Sequence, residues 1–293
     1  MTQRRRDLAM AYLMSIPALA ILMGLIIYPW TKGIYYSLTD YQLFKTSINF
    51  LWFQNYIDIL LSEKGRTAII NTLLYTGYTN GIELPLGIGV AIALNQEVRI
   101  IKLFRGFLIV PLLIPPTVAA IIWKVMMNPT NGVINYLLEK VGIYGIPWLT
   151  HPSTALLSVS LIDVWMFTPF VIIVILAGLQ SISQQLVDAA KVDGASSLSI
   201  FYYITLPHLI PYLFLVLLFR VIDSLKMFDI IYGATKGGPI NSTLVMHIEA
   251  YLKLIRGFDL AHAMVYTTLL WIICFLIAQF LIKGWTETTG RLK

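Results

Sequence analysis

Six stretches of the chain are rich in apolar residues, and more polar segments separate them. The stretches cover about residues 10–30, 67–94, 105–127, 154–179, 208–233 and 260–284. About 20 apolar residues in a helix are enough to cross the roughly 30 Å of a bilayer's hydrocarbon. The pattern therefore predicts an all-α integral membrane protein, with six transmembrane helices in a single domain over residues 1–293.

Composition supports lipid as the main solvent of the chain. Hydrophobic residues make up 58% of the sequence and charged residues 12%, whereas a soluble domain carries about a quarter charged residues. The net charge of +6 does not indicate nucleic-acid binding, because the basic residues lie between apolar runs and form no basic face.

The distribution of Lys and Arg predicts an orientation. With the N-terminus inside, ten of these residues fall in roughly sixty cytoplasmic residues and eight in roughly ninety outer ones, which is the bias that the positive-inside rule describes. The cytoplasmic group includes Arg99, Lys102 and Arg105 between the second and third stretches. Both termini are therefore predicted to be cytoplasmic.

Several predicted spans contain proline, which interrupts a helix unless neighbouring groups or water satisfy the freed carbonyls. These residues are Pro17, Pro29, Pro85, Pro111, Pro115, Pro116 and Pro169. Kinks that set the shape of the helices are the simpler interpretation, and a direct role in gating is the alternative.

The segment 183–207, between the fourth and fifth stretches, differs from an ordinary connecting loop. Leu186 to Lys191 favour a helix, and Gly194 is free to adopt positive φ and turn the chain. An apolar stripe follows, and Pro207 ends or bends this second short helix. We expect a helix–turn–helix at the cytoplasmic membrane surface, and its apolar face requires a partner.

This segment resembles the EAA loop of permease subunits in binding-protein-dependent ABC importers, whose pattern is E-A-A-x-x-D-G-A followed by F-x-x-I-x-L-P. The residues that match in order and spacing are Asp188, Ala189, Ala190, Asp193, Gly194, Ala195, Phe201, Ile204, Leu206 and Pro207. Asp188 departs from the pattern, because the family usually has glutamate there. The resemblance implies that these residues couple the chain to ATPase subunits, and that the fold is the type I ABC importer permease fold.

The resemblance extends over nearly the whole chain, and the chain is similar to the carbohydrate-type branch of the family. The segments that carry it include 107–135, 163–170, 177–182, 228–239 and 256–263, and 218–229 is similar to permeases for trehalose and related α-glucosides. The implied function is uptake of a sugar, such as a disaccharide, by ATP-driven alternating access.

The resemblance also implies partners and a location. The partners are a second, usually non-identical permease, two nucleotide-binding ATPase subunits and an extracytoplasmic solute-binding protein. The location is the bacterial or archaeal cytoplasmic membrane. ATP and Mg would be bound by the partner subunits, since this chain contains no G-x-x-x-x-G-K-[ST] phosphate loop. We expect no cofactor, no metal site and no catalytic residue on this chain, because its histidines are scattered and form no nucleophile–base set.

Ionisable residues inside the predicted spans are candidates for function, because they are costly in lipid. Asp163, Phe167 and Phe170 share one face of the fourth span, and Arg220, Ser224 and Met227 share one face of the fifth. By resemblance to the maltose-type permeases, these residues would line the sugar pathway. Two alternatives stay open: Asp163 and Arg220 pair with each other simply to avoid unpaired charge in lipid, or Arg220 and Asp223 bond to the partner permease. Glu83 has no assigned role.

Two rival functions remain at this point. An ABC permease of the same superfamily could move polyamine, phosphate or glycerol phosphate, although polyamine favours several carboxylates and Arg220 argues against it. An ion-coupled secondary transporter would predict inverted repeats and broken helices in two corresponding halves, and it leaves the loop at 183–207 unexplained.

Overall fold

The computed structural model describes residues 3–95 and 106–291, which are mainly helical and contain one isolated antiparallel bridge, between Thr39 and Phe50. Two compact units divide the chain. The first comprises Met1–Ser62 and Glu249–Leu269, and the second comprises Glu63–Ile248 and Leu270–Lys293.

The helices are numbered here in chain order. They are α1 (Gln3–Leu22), α2 (Tyr28–Ser37), α3 (Gln54–Leu61), α4 (Glu63–Leu94), α5 (Pro116–Met126), α6 (Val133–Glu139), α7 (Pro152–Gln180), α8 (Gln184–Val192), α9 (Ser197–Ile200), α10 (Leu206–Leu225), α11 (Asp229–Thr235), α12 (Met246–Gly257) and α13 (Leu260–Arg291). A π turn at Met23–Ile27 joins α1 to α2, another at Phe201–Thr205 joins α9 to α10, and a 3₁₀ turn at Val110–Leu113 precedes α5.

Four helical segments in the described part are long and apolar enough to cross a membrane, and a bent helix pair could form a fifth span. The four are Tyr12–Ser37, Pro152–Gln180, Ser197–Leu225 and Leu260–Gly290, and the bent pair is Gly106–Leu113 with Pro116–Met126. The 32-residue α4 contains the predicted second span but is less apolar than these, because polar residues recur along it. The all-α membrane architecture is thus confirmed, while the number of six spans stays a prediction.

The third predicted span, residues 105–127, is bent by 99° between Leu113 and Pro116. A residue that precedes proline is restricted to extended backbone, and Ile114 and Pro115 both adopt it, with ψ of 130° and 137°. Its first residue, Arg105, and the cationic Arg99 and Lys102 lie outside the described residues. In contrast, α4 runs through Pro85 and α7 through Pro169 without a break.

The fifth predicted span, residues 208–233, is not one helix. Helix α10 ends at Leu225, and α11 begins only at Asp229. The Nδ1 atom of His247 lies 2.8 Å from the carbonyl oxygen of Lys226, and the ring therefore donates a hydrogen bond to a carbonyl of the last turn. This contact joins residues 21 positions apart, so a local pattern of apolar residues does not predict the break.

Pro207 does not end a separate short helix. The helix that begins at Ser197 continues through the π turn into α10, up to Leu225. Because proline lacks the N–H that a continuous α-helix uses, a locally wider turn next to Pro207 keeps the two parts joined.

In the first unit, the loop between α2 and α3 is held by its own polar residues. The Asp40 carboxylate accepts hydrogen bonds from the backbone N and the Nδ2 of Asn49, at 2.7 and 2.9 Å, and pairs with Lys45. These contacts hold the pKa of Asp40 well below its ordinary value, with Lys45 as the largest cause. The amide of Asn55, which is buried, donates to the carbonyls of Ser37 and Thr39. The loop is therefore an ordered part of the unit.

The core of the second unit is the packing of α4 against α7. A Cβ atom built on Gly87 of α4 would lie 2.5 Å from Cγ1 and 2.8 Å from Cβ of Val171, so only glycine lets the two backbones approach this closely. Apolar side chains from α4, α7 and α10 complete this core. They are Ala91, Val171, Ile172, Ile175, Leu176, Leu179, Leu209 and Val216.

Candidate functional site: a buried charge cluster and an exposed helical loop

A polar stripe runs along the face of α4 that is buried in the second unit. Its members recur at spacings of three and four residues, which places them on one side of a helix. They are Thr72, Tyr75, Thr76, Thr79, Asn80 and Glu83. The polar residues of this stripe lower the mean hydropathy of α4, and they are buried in protein.

Arg220 of α10 lies at the centre of the buried polar groups. Its Nε and Nη2 donate to the two carboxylate oxygens of Glu83 at 2.7 and 2.9 Å, and Nη2 also donates to Oδ1 of Asp163. The Tyr75 hydroxyl donates to the other Asp163 oxygen at 2.7 Å. Arg220 is 1% exposed, and Glu83 and Asp163 are fully buried. One guanidinium thus joins α4, α7 and α10.

The other predicted pathway residues lie on α7, on α10 or just after α10. The Phe167 ring covers the guanidinium, with its centroid 4.1 Å from Cζ of Arg220. Ser224, one turn after Arg220, accepts a 3.0 Å hydrogen bond from Nδ2 of Asn80. Phe170 packs edge-on against Phe219, and Met227 is buried beyond the end of α10.

The pairing of Asp163 with Arg220, one of the alternatives left open by the sequence, is present. Asp223 forms an exposed pair with Lys226 at 3.5 Å, and its bond to a partner permease stays a prediction. Direct contact of these residues with a solute stays a prediction.

Sequence reasoning missed how Glu83 and Tyr75 belong to this cluster. Glu83 is 137 residues from Arg220, and Tyr75 is 88 residues from Asp163. No local spacing links such distant positions. The available signal was the polar stripe of α4, whose spacing already places Tyr75 and Glu83 on one face with Asn80.

The segment 183–207 forms the turn that its sequence predicts. Gly194 has φ of +81°. The N–H of Ala195 donates to the carbonyl of Ala190 at 2.9 Å, and the N–H of Gly194 donates to that of Lys191 at 3.0 Å. These two bonds are the Schellman arrangement that closes the C-terminus of α8. Ser196 then caps α9 by accepting from the N–H of Ser199. Both helix ends are satisfied locally, so the turn has a defined shape.

The same segment lies at the surface of the chain, since every residue from Gln180 to His208 is exposed or half-buried. Several exposed side chains are apolar, and Val192 is 88% exposed. An apolar surface of this kind marks an interaction site. Hydrogen bonds from Lys191 and Gln184 hold the pKa of the Asp188 carboxyl below its ordinary value.

Long apolar helices around a buried charge cluster, with an exposed apolar loop, define a multi-pass membrane protein that associates with other subunits. The chain belongs to the family of binding-protein-dependent transport system inner membrane components, whose family model matches residues 83–286. It is therefore the membrane-spanning permease subunit of an ABC importer, located in the inner membrane, and is not itself catalytic. The predicted family and location are confirmed.

Relatives are similar over most of the chain. A probable ABC transporter permease protein, y4oQ, of Sinorhizobium fredii is 38% identical over 94% of this chain and 89% of its own. The trehalose/maltose transport system permease protein MalF of Thermococcus litoralis is 33% identical, over 84% and 83%. The sulfoquinovosyl glycerol permease SmoG of Agrobacterium fabrum is 32% identical, over 87% and 83%.

A solved structure shows the same fold. It belongs to a bacterial ABC transporter involved in the import of the acidic polysaccharide alginate, with a TM-score of 0.83 and 23% identity. The similarity covers 97% of this chain and 96% of that chain.

Proposed function

We propose that this chain, with a second and non-identical permease, forms the pathway for uptake of a sugar by ATP-driven alternating access. Two relatives at 32–33% identity are named for trehalose/maltose and for sulfoquinovosyl glycerol, and each of these solutes contains a sugar unit. The similarity covers more than four fifths of this chain in both cases, so it supports the same solute class. A binding protein delivers the solute from outside.

The single observation that carries the coupling to ATP is the exposed, well-formed turn at 183–207. In this proposal, two ATPase subunits dock on it through residues 188–195 and the apolar stripe at Phe201 and Leu206. ATP and Mg are bound by those subunits, and this chain holds no cofactor. The absence of a buried residue across the segment supports a surface that a partner covers.

Six spans with both termini in the cytoplasm complete the proposal, and α4 is the second span. Its 32 residues extend about 48 Å at 1.5 Å per residue, enough for the hydrocarbon layer. Its polar stripe is buried in protein, while Ile70, Leu73 and Leu86 on other faces are exposed and are suitable for lipid. A span need not be apolar all round when its polar side faces protein.

The first experiment is affinity purification of the tagged chain from its native membrane, with mass spectrometry of the proteins that accompany it. We expect a nucleotide-binding ATPase and a second permease. Val192→Glu places a charge in the proposed ATPase contact. We expect the amount of ATPase recovered with the chain to fall at least about tenfold, equivalent to 1.4 kcal/mol of binding free energy. Ile240→Glu is the matched control, because Ile240 is 87% exposed and Val192 is 88% exposed.

The solute follows from the binding protein that accompanies the complex, screened against trehalose, maltose and glycerol phosphate. A relative named for sn-glycerol-3-phosphate transport, from Yersinia pestis, is 29% identical to this chain, which makes that solute the second candidate. Binding of glycerol phosphate but neither disaccharide would replace the sugar proposal. Recovery of the chain without any ATPase would contradict ATP-driven transport altogether.

A further inference from the structure

The buried charge cluster connects three helices through directional contacts. Glu83 belongs to α4, Asp163 to α7 and Arg220 to α10, and each contributes a charged group that is at most 1% exposed. Tyr75 adds a fourth contact, from α4 to Asp163.

Apolar packing and this cluster constrain helices differently. Dispersion contacts are individually weak and have no fixed direction, so apolar faces tolerate small sliding movements. The fork of Arg220 fits the Glu83 carboxylate in one bidentate arrangement, and such pairs add geometric specificity. Sliding of α10 along α4 would leave a buried charge without its partner, which is strongly unfavourable. The cluster therefore fixes the relative depth of the three helices.

The position of the cluster relates it to the segment 183–207. This segment joins the end of α7 to the beginning of α10, and these two helices carry Asp163 and Arg220. Asp163 lies about 26 Å before the end of α7 at Gln180, and Arg220 about 21 Å after the start of α10, at 1.5 Å per residue. Near the segment, the Tyr212 hydroxyl also donates to Ser181 at 3.1 Å. Helices α7 and α10 are thus joined by polar contacts at two levels, at the charge cluster and next to the segment 183–207.

We propose that Glu83, Asp163 and Arg220 form a clamp that makes α4, α7 and α10 move as one rigid body when the ATPase subunits displace the segment 183–207. In this role the three residues are positioning residues for transport and do not bind the solute. The inference rests on the proposed function, since it assumes ATP-driven displacement of that segment. It explains why three charges are buried together within one chain, with the Phe167 ring covering the guanidinium.

The first test measures distances between spin labels in the complete complex. Cys274 is the only cysteine, so Cys274→Ser gives a background for labels at Leu86 of α4, Ile173 of α7 and Phe219 of α10, which are all exposed. Pulsed EPR compares the nucleotide-free and the vanadate-trapped complex. We expect all three distances to stay within about 2 Å. A change of about 5 Å or more, one helical turn, would show that the helices slide and would overturn the clamp.

The second test replaces the whole cluster with apolar groups, by Tyr75→Phe, Glu83→Leu, Asp163→Leu and Arg220→Met in one variant. Such replacements leave no unpaired charge and are often neutral for stability. We expect normal recovery with the ATPase, but at least about a fivefold increase in ATP hydrolysed per trehalose or maltose delivered to proteoliposomes. Ser160→Ala is the control, because this buried hydroxyl bonds only within α7, to Leu156 at 2.9 Å.

The outcomes separate the two proposals. If the wild-type complex hydrolyses ATP and moves neither sugar, the proposed solute class is wrong, and the EPR distances still test the clamp. If the apolar variant delivers sugar with the wild-type ratio, the cluster serves stability alone and the clamp is refuted. If that variant is not recovered from the membrane, the EPR distances of the wild-type complex decide.

Discussion

At the scale of single residues, Gly194 has the clearest relation between backbone conformation and role. Its φ of +81° lies in a region that β-branched side chains avoid, and the Schellman bonds around it depend on that conformation. The sequence was sufficient to predict this turn, because glycine, the flanking helix formers and the resemblance all fall within one short segment.

Gly194→Val should abolish transport while the protein remains in the membrane. A residue with a Cβ in this conformation costs about 1–2 kcal/mol, so α8 would end differently and present a different surface to the ATPase. Sugar uptake and ATPase recovery measure the effect. Gly194→Asn is the matched variant, because asparagine tolerates left-handed backbone, and it should retain most uptake. Wild-type uptake by the valine variant would contradict the role given to the turn.

Arg220 shows what sequence reasoning could not reach. The sequence predicted an intramembrane charge that needs a partner and offered Asp163 as one alternative. It gave no role to Glu83, because α4 and α10 meet only through tertiary packing. The bidentate contact with Glu83 could not be inferred from a spacing of 137 residues.

Arg220→Met alone should destabilise the protein by about 3–5 kcal/mol, because two buried carboxylates lose their cation. The thermal midpoint in detergent, followed by fluorescence-detected size exclusion, measures the loss. Lys226→Met is the matched control, because it also removes the cation of an ion pair, six residues further along the chain. Its ion pair is 3.5 Å long with a side chain 52% exposed, so removal should cost under about 1 kcal/mol. Equal thermal midpoints for the two variants would contradict a buried cluster in which both carboxylates depend on Arg220.

At the scale of helices, the apolar runs and the prolines predicted where most helices and the bend before α5 lie. The exact helix ends and continuations depend on contacts that the sequence pattern does not contain. The bend before α5 follows from Pro115 and Pro116, which the sequence already indicated. At the end of α10, the His247 ring bonds to the Lys226 carbonyl, and no local pattern contains this contact. The continuation through Pro207 depends on a π turn, and hydropathy carries no information about such a turn.

The close approach of α4 and α7 can be tested at Gly87. In Gly87→Ala, the new methyl group would meet Val171 at 2.5 Å, and overpacking of this kind costs about 1–3 kcal/mol. Gly89→Ala is the matched change two residues away, where no atom lies within 4 Å of the new methyl group. It should be neutral or stabilise the helix by up to about 1 kcal/mol. Thermal midpoints that fall equally for both would contradict the packing described here.

At the scale of the whole molecule, the sequence predicted the protein class correctly because that class depends on composition and on one contiguous segment. The family match over residues 83–286 confirms it. In the proposed pathway, which a second permease shares, the side chains that select the solute would lie on both subunits, so one sequence cannot identify the solute. For Asp163, Arg220 and Ser224, the hydrogen bonds are made within the chain itself.

The proposed orientation can be tested with single cysteines in the Cys274→Ser background. Val192→Cys and Ile240→Cys are almost equally exposed, at 88% and 87%, but the proposal places them on opposite sides of the membrane. In intact spheroplasts, a membrane-impermeant maleimide should label the cysteine at 240 and spare the one at 192. In opened membranes from cells that lack the ATPase subunits, both should react. The reverse pattern in spheroplasts would place the termini outside.

The sequence separation of Glu83 and Arg220 also has a consequence for biosynthesis. Ribosomes add roughly 5–20 residues per second, so the 137 residues between the two take roughly 7–27 s to make. During that interval α4 is already available for insertion, while its cation has not been synthesised. An unpaired carboxylate is costly in hydrocarbon. We therefore expect that the proposed span α4 enters lipid either with Glu83 protonated or only after α10 has emerged from the ribosome.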